Sequence, residues 1–252
     1  MLTLIGLGLN DEKDMTLKGI DAAKKSDKVF AEFYTGLWHG SVENLEKTIG
    51  KKIIEVQRKD LEDDLEKFLL LAKESDISIL IQGDPLVATT HITLITEAKK
   101  MGIETRIIHN SSIFSAVSET GLHIYKFGPT VTIPFLEKTN NKLSKSVYDT
   151  ISENKKRNLH TLCLLDVISE KKKYMSAIEA IEILLKMEKE FKGKIIHTDL
   201  EAVIFESAGS ENSKIIFGKI SDLKSKTFNS YPQILILVGS LHFSEREYLS
   251  AV

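Results

Sequence analysis

Cysteine and long apolar runs are scarce in this sequence of 252 residues. It contains a single cysteine, Cys163, so no disulfide can form within the chain, and no cysteines and histidines have zinc-site spacing. No segment offers the roughly 18 uninterrupted apolar residues of a membrane-spanning helix, and the apolar start MLTLIGLGLND lacks a basic leader. We therefore expect a soluble cytoplasmic protein without a bound metal.

The sequence also lacks an excess of either charge. Lys and Arg total 34 against 36 Asp and Glu, which gives a net charge of -2. Such a balance provides no field that would hold a nucleic acid or an anionic membrane, so neither partner is expected. With 42% hydrophobic residues, the chain can bury a substantial core in one large or two modest domains.

The first half of the chain alternates short apolar runs with helical patterns, which is typical of parallel strands joined by crossover helices. The predicted strands are residues 2–7, 28–33, 53–56, 77–81 and 105–109. The predicted helices are residues 16–26 and 41–49, one long helix from Asp60, and one from Thr89 or Thr90 that ends at Gly102. In this last helix, Ile92, Ile95 and Ala98 are predicted to face inward.

The second half has a different pattern. Residues 127–135, FGPTVTIPF, predict a connector with an edge strand, and residues 153–158, ENKKRN, predict a solvated link. Ser176 can cap a helix that closes near Gly193, while residues 202–205, 214–217 and 233–238 predict strands paired as hairpins. The predicted architecture is α/β with two domains, residues 1–122 with a mainly parallel sheet and residues 123–252 with a mixed sheet.

Three predicted strand ends carry residues that suit a ligand, since open α/β sheets bind ligands beyond the carboxyl ends of their strands. They are GLGLND (6–11), QGDP (82–85) and NSSI (110–113). The first has Asp11 where a dinucleotide fingerprint requires its third glycine, which weakens a Rossmann interpretation. In the second, Pro85 restricts Asp84 to an extended backbone. Each segment alone is most simply a turn or a cap, but together they favour a pocket.

These segments occur within a longer ordered set of motifs that resembles a known family. The set is LTLIGLGLNDEKDMTLKGIDAAKKSDKVFAEFYT, GDPLVATTH, IIHNSSIFSAVSETGL, YKFGPTVTIPF, LLDV, SAGS and LHFSEREYL. It resembles the diphthine synthases, which belong to the tetrapyrrole-methylase-like group of S-adenosylmethionine-dependent methyltransferases. The resemblance covers essentially the whole chain.

The resemblance implies a specific reaction and architecture. Enzymes of this family transfer methyl groups from S-adenosylmethionine to the amino nitrogen of a 3-amino-3-carboxypropyl arm on one histidine of translation elongation factor 2. The product is diphthine, the precursor of diphthamide, and S-adenosylhomocysteine is released. The resemblance further implies a homodimer whose subunits each hold the cofactor in the cleft between two α/β domains.

The resemblance also implies which residues contact the cofactor. By motif they are Leu9, Asp84, Val87, Ser112, Ile113, Leu165, Ala208 and Gln233. The family usually has histidine at the last position, so Gln233 is a departure. Asp84 is the charged member of the set, and we expect it to orient the cationic donor.

Several interpretations stay open at the level of sequence. His91, His109, His123 and His242 could act as a base by residue type, but a lone histidine is more often structural, and no catalytic residue is assigned. The clusters at residues 155–157 and 171–173, together with Trp38 and Phe135, could face a protein partner, although solvation or burial is the simpler interpretation. The rival functions are a methylase of a tetrapyrrole and a nucleotide-binding regulatory module without catalysis.

Overall fold

A computed structural model describes residues 1–252 and divides the chain into two compact units, Met1–Ala116 and Val117–Val252. The domain boundary predicted after residue 122 stays a prediction. Both units combine a five-stranded sheet with helices. This architecture confirms the predicted α/β class, with a parallel sheet in the first unit and a mixed sheet in the second.

The first unit is built on a fully parallel sheet in the order β3-β2-β4-β1-β5. Its strands are β1 (Leu2–Gly6), β2 (Lys28–Glu32), β3 (Ile53–Glu55), β4 (Ile77–Ile81) and β5 (Thr105–Ile108). Its helices are α1 (Leu17–Lys25), α2 (Val42–Ile49), α3 (Arg58–Glu62), α4 (Leu65–Glu74), α5 (Ile92–Lys100) and α6 (Ile113–Ala116). Successive residues of β1, such as Leu4 and Ile5, belong to two separate hydrophobic cores. Strands buried on both faces explain the continuous apolar runs in the sequence.

The second unit contains a sheet in the order β11-β10-β12-β7-β6 and a separate two-stranded hairpin. Its strands are β6 (Val131–Ile133), β7 (Thr161–Leu165), β8 (Val167–Ile168), β9 (Lys173–Tyr174), β10 (Glu201–Glu206), β11 (Lys214–Lys219) and β12 (Gln233–Leu237). Its helices are α7 (Lys145–Lys156), α8 (Ala177–Phe191), α9 (Ile220–Leu223) and α10 (Phe243–Leu249). Only β6 and β7 pair in parallel within the larger sheet, and β6 forms its edge as predicted.

Helix α8 shows why the capping prediction succeeded. The Ser176 side chain accepts from the Glu179 N–H, and the Glu179 carboxylate accepts from the Ser176 N–H, which is a complete capping box. Its buried residues recur at helical spacing along one face, and Lys192 in the left-handed conformation follows its last turn. The helix packs into the single hydrophobic core of the second unit.

The predicted long helix from Asp60 was wrong, because the structure has two helices there. Helix α3 begins two residues earlier, with Asp60 in a capping box whose carboxylate accepts from the Gln57 N–H. The N–H groups of Asp63 and Asp64 both donate to the Lys59 carbonyl, which ends α3. The apolar periodicity continues across the break between the two helices, so the sequence pattern could not reveal where the first helix ends.

Two other local predictions were also wrong. Helix α5 begins at Ile92 instead of Thr89 or Thr90, and Ile92 is 57% exposed in its first turn, although Ile95 and Ala98 are buried as predicted. Residues 153–158 are not a solvated link, because α7 extends to Lys156. Within that stretch the Asn154 side chain is buried and donates to the Pro129 carbonyl at 2.9 Å and to the Thr161 hydroxyl at 3.0 Å. The surrounding charged residues concealed this buried position.

Candidate functional site

The carboxyl ends of three neighbouring strands of the first unit hold most of the predicted cofactor residues. Strand β1 lies between β4 and β5, and the loops that follow these strands lie at one edge of the sheet because all three run parallel. The residues that the structure brings together there are Leu9, Asp84, Val87, Ser112 and Ile113. This edge is where a parallel sheet presents loop amides and helix N-termini to a ligand.

The glycines of the first loop permit close contact between two of these strand ends. Gly8 and Gly83 exchange two backbone hydrogen bonds, with N–H to carbonyl distances of 3.3 and 2.8 Å. A Cβ atom at Gly6 would lie 2.5 Å from the Gly83 carbonyl oxygen, and Gly8 has a φ of +86°. Side chains at either position would force the loops apart. The GLG turn therefore has a packing role whether or not a ligand is bound.

Asn110 and Asp14 complete the links between the loops. The Asn110 side-chain amide donates to the Gly6 carbonyl at 2.9 Å and to the Asp14 carbonyl at 3.0 Å. The Asp14 carboxylate accepts from the N–H groups of Leu9 and Asn10 at 3.2 and 2.7 Å. The sequence analysis missed Asp14, although an acidic residue shortly after a glycine turn is a signal that loop amides need an acceptor.

Asp84 joins the loop after β4 to the loop after β5. Its side chain is almost fully buried, and one carboxylate oxygen accepts from the Leu86 N–H at 3.0 Å. The other accepts from the Asn110 N–H at 3.3 Å and from His109 Nδ1 at 2.8 Å. Because a carboxylate only accepts, this contact places a proton on Nδ1 of His109. No sequence pattern indicated the pairing of Asp84 with His109.

The other three predicted cofactor residues lie together at one end of the sheet of the second unit. Leu165 is the last residue of β7, Gln233 is the first of the antiparallel β12, and Ala208 follows β10, which is also antiparallel to β12. Ser207 has a φ of 48°, so the chain turns sharply just before Ala208. Ala208 and Gln233 are buried, and Leu165 packs against the core.

The side chain of Gln233 is fully engaged within its own unit. Its Oε1 atom accepts from the Ala177 N–H at 2.9 Å, which satisfies an amide in the first turn of α8. Its Nε2 atom donates to Glu206 Oε1 at 3.2 Å and to the Ser230 carbonyl at 3.0 Å. A contact of Gln233 with a cofactor would therefore use main-chain or apolar atoms unless these bonds are exchanged.

The four candidate histidines occupy different environments. His91 is buried with its Nδ1 atom 3.3 Å from the Pro85 carbonyl, and burial lowers its pKa. His109 has a 68% exposed side chain on Asp84, whereas the rings of His123 and His242 lie 5.3 Å apart beside α10. None is assigned as a base by this geometry.

Several of the candidate partner-facing residues contact other residues of the chain. Lys171 and Lys173 both contact the Glu137 carboxylate, at 2.7 and 2.8 Å, and their hydrogen bonds lower the pKa of Glu137 to about 2. Phe135 is buried in the core of the second unit, and Trp38 stacks on Phe33. Residues 155 and 156 form the end of α7.

The chemistry of the residues at the sheet edge of the first unit fits S-adenosylmethionine. The position that a Cβ atom would occupy on Gly83 has nothing nearer than Ser112 Cβ at 3.7 Å, so a ligand can approach the backbone there. Ser112 offers a hydroxyl, and Val87 and Ile113 offer partly buried apolar surface for a nucleoside.

No group of three His, Cys, Asp or Glu side chains is arranged to hold a metal ion. None of the helices is both long enough and apolar enough to cross a membrane.

A sequence model of the tetrapyrrole (corrin/porphyrin) methylases matches residues 1–224. The chain belongs to this family. It is therefore a methyltransferase, as the resemblance of its motifs predicted.

Relatives within the family resemble the chain over nearly its whole length. A diphthine synthase of Methanocaldococcus jannaschii is 48% identical over 252 residues, which cover 99% of this chain and 97% of the relative. A diphthine synthase of Methanococcus aeolicus is 45% identical over 250 residues, with coverages of 99% and 96%. Among solved structures, a putative diphthine synthase from Entamoeba histolytica has a TM-score of 0.89 at 35% identity and covers 100% of this chain and 97% of its own. These matches place the chain among the diphthine synthases of the methylase family.

Proposed function

We propose that the protein methylates the amino group of the 3-amino-3-carboxypropyl-histidine intermediate on translation elongation factor 2, giving diphthine in diphthamide biosynthesis. The observation that carries the proposal is the near-complete coverage, at 45 to 48% identity, of relatives named diphthine synthase. The loops after β1, β4 and β5 support it with a set of backbone and side-chain groups at one sheet edge.

S-adenosylmethionine is the proposed cofactor, and when bound it supplies an electrophilic methyl group on a sulfonium sulfur. The eight residues named by the resemblance would hold it: Leu9, Asp84, Val87, Ser112, Ile113, Leu165, Ala208 and Gln233. Backbone atoms around Gly83 can approach the nucleoside closely, and Asp84 fixes the loops after β4 and β5 while adding a negative charge near a cationic ligand. Such a site accelerates methyl transfer mainly by orienting donor and acceptor.

The acceptor amine must lose a proton before each attack. A typical amine is protonated at neutral pH, so a nearby base or a desolvating surrounding would assist the reaction. The exposed His109 ring lies beside Asp84 at the proposed site. This position alone does not make His109 the base.

We further propose that elongation factor 2 is the protein partner and that the enzyme acts in the cytoplasm as a homodimer. The partner and the homodimer follow from the resemblance. Light scattering on the purified protein tests the dimer directly: a mass of twice 28.3 kDa supports it, and the monomer mass contradicts it.

A transfer assay tests the proposed function. The purified enzyme is incubated with methyl-labelled S-adenosylmethionine and elongation factor 2 that carries the carboxypropyl intermediate, with unmodified factor and a corrin precursor as parallel acceptors. Label only on the intermediate-bearing factor is the expected result. Label on the corrin precursor would identify a tetrapyrrole methylase, and binding without any transfer would identify a regulatory module.

A further inference from the structure

The segment of residues 33–40, which follows β2, encloses two polar atoms that have no hydrogen-bond partner in the protein. They are Nε1 of Trp38 and Oε1 of Gln82, and both are buried at the atomic level. Buried polar side-chain atoms are almost always paired in native proteins, because desolvating them without a partner is unfavourable. One atom belongs to this segment and the other to Gln82, which bonds to the segment at Leu37, so together they indicate a place where another molecule provides the partners.

The orientation of the Gln82 amide is fixed by its other atom. Gln82 follows β4 directly and precedes Gly83 and Asp84 of the proposed cofactor loop, and its Nε2 atom donates to the Leu37 carbonyl at 2.6 Å. A flipped amide would place Oε1 against that carbonyl oxygen, so Oε1 must be the unpaired atom. Gly36 makes room for it, since a Cβ atom there would lie 2.5 Å from Oε1. The side-chain Oε1 atom of Gln82 is therefore an acceptor that needs a donor.

The Trp38 ring is held by packing against Phe33 and Gly40. It stacks on Phe33 with ring centroids 5.1 Å apart and planes inclined by 15°. Gly40 lies against the other part of the indole, where a Cβ atom would come within 2.2 Å of Cζ2. The ring cannot turn freely to find a partner, and its N–H can only donate. Trp38 therefore needs an acceptor.

The ligand that suits both atoms must offer a donor and an acceptor together. A phosphate or a simple carboxylate would satisfy Trp38 but not Gln82, because at neutral pH such anions mainly accept. An α-amino-acid group offers an ammonium for Gln82 and a carboxylate for Trp38. Glu32 is fully buried at the end of β2 and pairs in register with Ile81, the residue directly before Gln82. The negative form of its carboxyl would also favour an ammonium.

We propose that Gln82 and Trp38 bind the zwitterionic amino and carboxylate groups of an α-amino-acid end. Both atoms are buried in this structure, so access to them requires the residues around them to move. The inference rests on the proposed function, in which two molecules carry this group: the 3-amino-3-carboxypropyl arm of the acceptor and the methionine end of the donor.

Two conservative variants test the proposal. Trp38→Phe removes the N–H and retains a ring that can stack on Phe33, and Gln82→Met removes the amide at similar length. Phe33→Leu serves as the control, since it disturbs the stacking without removing either polar atom. For each protein, initial rates give KM and kcat for the intermediate-bearing elongation factor, and calorimetry gives Kd for S-adenosylhomocysteine, with the melting temperature as a check on folding.

The two sources of the amino-acid group give different results. If it belongs to the acceptor, both variants raise KM for the factor by about 10- to 100-fold while Kd for S-adenosylhomocysteine stays within about twofold. If it belongs to the donor, Kd rises by a similar factor. Unchanged KM and Kd in both variants, or an equal loss in Phe33→Leu, would overturn the inference.

Failure of the proposed function gives a separate result. In that case the wild-type enzyme transfers no label to the intermediate-bearing factor. The calorimetric comparison then decides the inference alone, and an unchanged Kd for S-adenosylhomocysteine in both variants refutes it.

Discussion

At the scale of single residues, Asp84 has a structural and a proposed binding role at once. Its carboxylate accepts from two backbone N–H groups and from His109, so it holds the loops after β4 and β5 together even without a ligand. The sequence predicted that Pro85 would fix its direction, but the partners that use this direction come from a loop far away in the chain. Spacing within the QGDP motif could not reveal them.

Replacement of Asp84 tests the binding role. Asp84→Ala is expected to weaken S-adenosylhomocysteine binding by about 1 to 3 kcal/mol, because a charge-assisted contact and the loop geometry are both lost. Isothermal titration calorimetry measures the change, with Asp84→Asn as a control that retains an acceptor oxygen. An unchanged affinity in Asp84→Ala would remove Asp84 from the cofactor site.

Glu32 is a second buried acid whose environment leads to a pH prediction. Burial raises the pKa of Glu32 to about 7, against opposing hydrogen bonds from Thr35. The folded protein therefore binds this proton more tightly than the unfolded chain, so the stability falls as the pH rises from about 4.5 to about 7. Above about pH 7 the loss of stability caused by ionising Glu32 is complete.

The variant Glu32→Gln removes this cost. Relative to wild type, its free energy of unfolding should increase by up to about 3 kcal/mol between pH 5 and pH 8. Urea unfolding at the two pH values measures the difference, with the exposed Glu74→Gln as the control. Equal shifts in both variants would mean that Glu32 ionises as readily in the folded protein as in the unfolded chain.

At the scale of elements, the sequence predicted most strands and helices and failed where local signals competed. Strands such as β4 were predictable because parallel strands buried on both faces read as unbroken apolar runs. The break between α3 and α4 was missed because the apolar spacing continues through Asp63 and Asp64. The buried Asn154 was missed because its partners, Pro129 and Thr161, are set by tertiary packing.

Helix α10 is held by a buried polar cluster that the sequence did not indicate. Glu245 is fully buried and accepts from Lys126, from the N–H groups of His123 and His242, and from His160. The Gly239 N–H donates to Nδ1 of His160, so the ring is neutral and donates from Nε2 to Glu245 at 3.1 Å. Burial lowers the pKa of His160, in agreement with this tautomer.

Removal of the Glu245 carboxylate should release this helix. Glu245→Ala is expected to destabilise the fold by about 3 to 5 kcal/mol, since it leaves Lys126 and the amides without their acceptor. Burial raises the pKa of Glu245, but Lys126 and the other donors outweigh burial and bring the pKa to about 2. The stabilisation is therefore complete above about pH 4.5 and is lost as the pH falls towards 2.

Chemical unfolding at several pH values checks this prediction. The difference between wild type and Glu245→Ala should shrink from pH 7 towards pH 3, and Glu247→Gln on the exposed face of the same helix serves as the control. A difference that is small at pH 7, or that does not depend on pH, would show that the cluster contributes little to the stability of the fold.

At the scale of the whole molecule, the chain combines two units with different sheets, and membership of the methylase family extends over both. The alternation of short apolar runs with helical patterns predicted the α/β class, and the ordered motifs predicted the family. The site could be predicted only as strand ends, because the hydrogen bonds that join them connect residues distant in sequence, as between Asn110 and Gly6. The family resemblance therefore contributed the chemistry, and the structure contributed the links between loops.

The most direct test of this account is a crystal structure of the protein with S-adenosylhomocysteine. The nucleoside is expected to lie against the loops that follow β1, β4 and β5, in contact with Leu9, Asp84 and Ser112. A nucleoside bound elsewhere on the protein, with these loops unoccupied, would contradict it.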